Sequence, residues 1–200
     1  MNLSESSSQF SVKPEDWSVW SQQLQSETER GLATTAAAIL DHLVARRIES
    51  FLLDDPGATK RLLGNPFSPL GSFAARTAAA FSLGLISDDE RDDLDCIRDI
   101  RNDFAHQPIS PSFTDQSIAQ KVRNMKIPKL MPKAVFDPSA IPPRKLFIDA
   151  VSMLSTFIDF RTRNNRERRT SPKRFIIEST KRPAHRLMEK SSSGEEVDKI

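Results

Sequence analysis

The stretch Leu94-Asp95-Cys96-Ile97-Arg98-Asp99-Ile100-Arg101-Asn102-Asp103-Phe104-Ala105-His106 leaves little choice of local structure. Cys96, Ile97, Ile100 and Phe104 recur at steps of three and four, which is the spacing of one helical face. Arg98, Asn102 and His106, each four apart, fall on another face. One helix therefore serves a core and a polar site together. Ser87 is its expected N-cap, Glu90 the capping-box partner three residues on, and Asp88 and Asp89 are favoured by the helix dipole. Pro108 and Pro111 stop it, so the spacing predicts a helix over 88–106.

The same period recurs through most of the chain. Leu32, Ala36, Ile39, Leu40, Leu43, Val44, Ile48, Phe51 and Leu52 predict a long amphipathic helix over 27–53, ended by Asp54-Asp55-Pro56-Gly57. A short helix over 58–63 and a loop rich in proline and glycine follow. A helix over 70–83 comes next, with Gly84 as its C-terminal cap. A Pro-rich connection over 109–143 holds a short capped helix near 113–119, and the last amphipathic helix is expected over 146–160. At the front, Pro14-Glu15-Asp16-Trp17 begins a first helix that Trp17, Trp20 and Leu24 dock on the body. Strand-like alternation never lasts more than a few residues. The expected fold is an all-α bundle whose core includes Ile39, Leu43, Phe51, Phe73, Phe81, Ile97, Ile100, Phe104, Leu154 and Phe157.

Two hundred residues suit one domain with length to spare. The expected division is a disordered polar segment over 1–13, a helical domain over 14–160 and a basic, largely disordered tail over 161–200. The net charge of +2 conceals a gradient: residues 1–30 hold five acids and two bases, whereas residues 161–190 hold eleven bases and three acids. Arg161, Arg163, Arg166, Arg168, Arg169, Lys173 and Arg174 are therefore the candidates for weak nucleic-acid contact. One cysteine and no secretion signal point to a reducing cytoplasm, and no apolar run is long enough to span a membrane.

Nothing in the chain calls for a cofactor or metal. Leu70-Gly71-Ser72 lacks the repeated glycines and following lysine of a phosphate loop. The acids of 88–103 are accounted for by capping and by pairing with Arg91, Arg98 and Arg101. His42 has no second ligand-type residue near it in sequence and reads as a structural or surface histidine.

Ile-Arg-Asn-Asp-Phe-Ala-His at 100–106 resembles the signature of the mannitol operon repressor family and, more broadly, the Arg-Asn...His motif of the helical HEPN superfamily. Upstream, the run from Phe67 through Pro69-Leu70-Gly71-Ser72-Phe73 to Arg76, followed by Phe81-Ser82-Leu83-Gly84-Leu85-Ile86-Ser87, is similar to that family's blocks in order and spacing. The resemblance covers roughly residues 29–160. It implies a HEPN-like multi-helix bundle, a regulatory or interaction protein in transcription control, a homodimer and a protein partner. Direct DNA reading has little support, because no pair of short helices with a tight glycine turn and a basic second helix is present.

The superfamily resemblance implies an alternative, a metal-independent ribonuclease in which Arg101, Asn102 and His106 form the site. A histidine can take the 2′-hydroxyl proton while an arginine stabilises charge on the phosphate. The competing reading is that these residues brace a helix end, or bind an anion without chemistry. Five residues of helix leave Arg101 and His106 about 140° apart, whereas Asn102 and His106 share a face.

Overall fold

The structure is a computed structural model and describes residues 16–107, 111–133 and 135–164. Among them are seven α-helices, α1 (Asp16–Ser26), α2 (Glu29–Glu49), α3 (Pro56–Leu63), α4 (Phe73–Ser82), α5 (Asp88–His106), α6 (Gln116–Asn124) and α7 (Pro143–Asn164), with a 3-10 turn at Ile127–Leu130. No strand occurs among the described residues, and Leu53 makes only an isolated bridge. The expectations for residues 1–13 and for Trp17's side chain lie outside what is described.

Side-chain capping sets the starts of α2, α3, α4 and α5, whereas α6 begins without a side-chain cap. Thr28 accepts from the Gly31 amide ahead of α2, and Asp55 accepts from Ala58 with Pro56 in the first turn of α3. Ser72 caps α4 through the Ala75 amide. At α5 both halves of the capping box form: Glu90 N–H donates to Ser87 Oγ at 3.3 Å, and Ser87 N–H donates to Glu90 Oε2 at 2.7 Å. Gly84, at φ 68°, lets the chain turn after α4, where Leu85 N–H reaches back to the Ala80 carbonyl. A side chain at that backbone angle would be strained.

α2 is the axis of the bundle and packs against α1, α4, α5 and α7. Its buried face mixes Ala33, Ala36 and Ala37 with Leu32, Leu40, Leu43, Val44 and Ile48, so neighbouring helices approach closely over small side chains and interlock with large ones. α5 contributes Leu94, Ile97, Ile100 and Phe104, and α7 contributes Leu146, Phe147, Val151, Leu154 and Ile158. Phe113, from the connection before α6, lies between Phe104 and Phe147 with ring centroids 5.1 and 4.9 Å away.

Several expectations need adjusting. Phe51, Phe73, Phe81 and Phe157 are only half-buried and pack on the core from its edge. For Phe81 a reason is visible: the Arg91 guanidinium lies over its ring at 4.3 Å. α2 ends at Glu49, four residues before 53, because the amides of Phe51 and Leu52 already turn back toward Ile48 and Glu49. α6 starts at Gln116 and extends to Asn124. α7 continues through Arg161–Asn164, past the expected end at 160, held by Arg161–Glu90 at 2.5 Å and Arg163–Asp159 at 2.7 Å.

Asp93 does something its place among the helix acids did not suggest. Its two carboxylate oxygens accept from the amides of Lys126 and Ile127 at 2.7 and 2.8 Å, pinning the 3-10 turn to α5. Burial raises its pKa from 3.8 to about 6, against the lowering effect of those two amides. The folded form thus holds this proton more tightly than the unfolded chain does. The resulting stabilisation is complete below about pH 3.8 and is lost as pH rises through about 6. The carboxyl carbon resonance of Asp93 is expected to titrate with a midpoint near pH 6; a midpoint near 4, the ordinary aspartate range, would show the site open to water. Phe104→Ala should lower the unfolding free energy in urea by about 3–5 kcal/mol. Arg161→Ala should lower it by about 2–3 kcal/mol, since Glu90 stays buried without its cation.

Candidate functional site

The exposed flank of α5 meets α2 and the start of α4 in a cleft of about 430 Å³. α2 supplies Thr34, Ala37, Ala38 and Asp41, α4 supplies Phe73 and Ala74 behind its cap Ser72, and α5 supplies Arg98, Arg101 and Asn102. The floor is small and apolar because α2 places alanines there. Polar side chains of Thr34, Asp41, Ser72, Arg98, Arg101 and Asn102 share the lining with Phe73 and Ala74.

Two of the three residues proposed from the signature thus come together. Arg101 donates from Nη1 to Asn102 Oδ1 at 2.9 Å, and both line the cleft. His106 sits exposed in the last turn of α5 and does not line it. The helix end beyond it is tied down instead: Arg30 donates to the Gln107 carbonyl at 3.1 Å. Arg98 is held by Asp95 at 2.6 Å and Asp99 at 3.4 Å. Arg101 pairs with an amide and not with a helix acid as expected, and Asp103 turns away to Lys121 at 2.5 Å.

Sequence reasoning missed the clamp on the other side. Arg76 donates to Asp41 at 2.7 Å, to the Leu70 carbonyl at 2.8 Å and to the Leu63 carbonyl at 3.4 Å, so one guanidinium fastens the α3–α4 loop and α4 to α2. The signal was present, since Arg76 ends the run that begins at Phe67 and contains the Pro-Leu-Gly-Ser-Phe block. Its partner, thirty-five residues upstream on another helix, was not readable.

Among other reactive groups, Cys96 is no nucleophile. Burial first, then the charge of Asp93, pushes its thiol up to about 12, and its Sγ donates to the Lys121 carbonyl. His42, half-buried on α2, lines a second groove with Trp20, Gln23 and Ile39. No group of three or more metal-ligating side chains occurs among the described residues, and no described helix is long and apolar enough to cross a membrane. Of the candidate nucleic-acid contacts, Arg161 faces Glu90 and Arg163 faces Asp159; Arg166, Arg168, Arg169, Lys173 and Arg174 lie outside the described residues.

The profile of the mannitol repressor family matches residues 18–160. Among solved structures, the fold is similar to a chain in the crystal structure of the MtlR–HPr complex from Escherichia coli, with 20% identity and a TM-score of 0.60 over 72% of this chain and 98% of that one. A comparison with curated proteins finds no match. The family profile runs from α1 through nearly all of α7 and takes in every residue of the cleft, and the chain accordingly belongs to the mannitol repressor family.

Proposed function

We propose that this mannitol-operon regulator works in the cytoplasm as a non-enzymatic helical dimer that acts by binding a protein partner. HPr, a component of the complex that holds the structurally similar chain, is the partner this reading selects. The observation that supports the non-enzymatic part is that Arg101 is engaged with Asn102 in the cleft, whereas the histidine that ribonuclease chemistry requires as a base is not among the residues that line it. A general base must lie within hydrogen-bond reach of the proton it takes. The α5 side chains are thus arranged to hold a surface together and to present arginines.

The reading makes partner binding the activity to measure. Titration calorimetry with purified HPr should give saturable binding, and light scattering should give the mass of two chains. Full-length protein should leave single-stranded and structured RNA intact in the presence of a chelator. Cleavage that His106→Ala removes would replace this reading with the ribonuclease one.

Nucleic-acid contact by residues 161–190 remains part of the proposal as a weak, sequence-independent attraction, motivated by the eleven bases there. Affinity for a random duplex should fall steeply between about 50 and 200 mM salt through counterion release. Because Arg161 and Arg163 already hold carboxylates within α5 and α7, truncation after Asn164 is the informative cut. It should abolish duplex binding while keeping both ion pairs and the melting temperature.

A further inference from the structure

The loop between α3 and α4 is built more firmly than a connection needs. Asn65 Oδ1 accepts from the Phe67 amide at 2.8 Å, Ser68 Oγ accepts from the Asn65 amide at 3.3 Å, and the Ser68 amide returns to the Asn65 carbonyl at 3.0 Å. The Leu70 amide reaches back to Leu62 in α3 at 2.9 Å, and Arg76 holds the Leu70 carbonyl from α4. Gly71 lies so close to the turn that a Cβ there would stand 2.5 Å from the carbonyl oxygens of Asn65 and Pro66. All this fixes a turn whose apex side chain, Phe67, is 99% exposed. A phenylalanine ring in water contributes nothing to the core, so the rigidity serves to present it.

We propose that this loop is the docking point for a partner protein, with Phe67 as the anchor entering an apolar socket and Lys60 and Arg61 meeting carboxylates on its rim. The inference rests on the reading of the chain as a partner-binding regulator and assigns the surface that reading leaves open. Aromatic anchors in desolvated pockets dominate interface energetics, and a loop already locked in place loses little freedom on binding. Charge selects the occupant. Lys60 and Arg61 lie in the last turn of α3, exposed, with no carboxylate of a described residue in ion-pair range, while Asp55 at the other end is occupied in capping Ala58. A symmetric contact between two copies about Phe67 would set these cations against their own copies, since a two-fold interface pairs a patch with itself. An acidic-rimmed partner relieves that repulsion; a second copy of this chain does not.

The test compares full-length wild type, Phe67→Ser and Arg61→Glu, with Phe67→Trp as the conservative variant, in calorimetric titrations against the partner protein of the proposed function. Circular dichroism and thermal melting check the fold, which a side chain in open water does not support. The expected result is binding at least tenfold weaker for Phe67→Ser, severalfold weaker for Arg61→Glu, and within a few-fold of wild type for Phe67→Trp. Binding by Phe67→Ser within twofold of wild type overturns the proposal while leaving partner binding itself standing. A change in the chain's own mass by light scattering on Phe67→Ser, with no partner present, overturns it in favour of a self-interface. Wild type that binds no partner overturns both the proposed function and this surface.

Discussion

Glu90 is the residue on which the arrangement of helices turns. Its carboxylate is fully buried, and Oε2 accepts at once from the Ser87 amide and from Arg161, so the start of α5 and the end of α7 share one oxygen. Arg47, itself buried near the end of α2, donates to the Leu85 and Arg161 carbonyls. Burial, together with the neighbouring Arg161 charge, lowers the pKa of Arg47, whereas Glu90 opposes that shift. A buried carboxylate is costly unless nearby donors and cations compensate it. Here that compensation gathers the start of α5 and the last turns of α2 and α7 around one carboxylate.

This arrangement explains which parts of the fold could be read from the chain. Local signals were legible: the Ser87–Glu90 box placed the start of α5, the apolar stripe 97–100–104 placed its buried face, and Gly84 placed the turn before it. Asp93 was legible in principle, since it lies four residues before Ile97 on that same stripe and so had to be buried. Assigning every acid of α5 to capping or helix pairing hid it. The end of α7 depends on a contact seventy-one residues away in sequence, and no window along the helix contains it.

The candidate site divides along the same line. That Arg98 and Asn102 share a face follows from four-residue spacing, and the structure places both in the cleft with Arg101. The cleft itself exists because α2 is alanine-rich at its floor and because Asp41 and Arg76 hold α4 against it. Neither fact is local. The role of the 65–71 loop was hidden for a different reason. Proline and glycine announced a turn, but only the hydrogen bonds that Asn65 and Ser68 make around it show that Phe67 is held outward.

The alanine face of α2 has a consequence for how such a chain can vary. Ala33 and Ala36 are fully buried on the face of α2 that other helices pack against, so a larger residue there must displace a helix and not merely a side chain. α3, by contrast, buries no residue at all. Sequence drift is thus steered by geometry: the axis of the bundle is nearly frozen, whereas the short helix beside the Phe67 turn can change charge and shape almost freely. A lineage could exchange one surface charge pattern for another by rewriting the exposed residues of α3, such as Lys60 and Arg61, without disturbing the body that carries them.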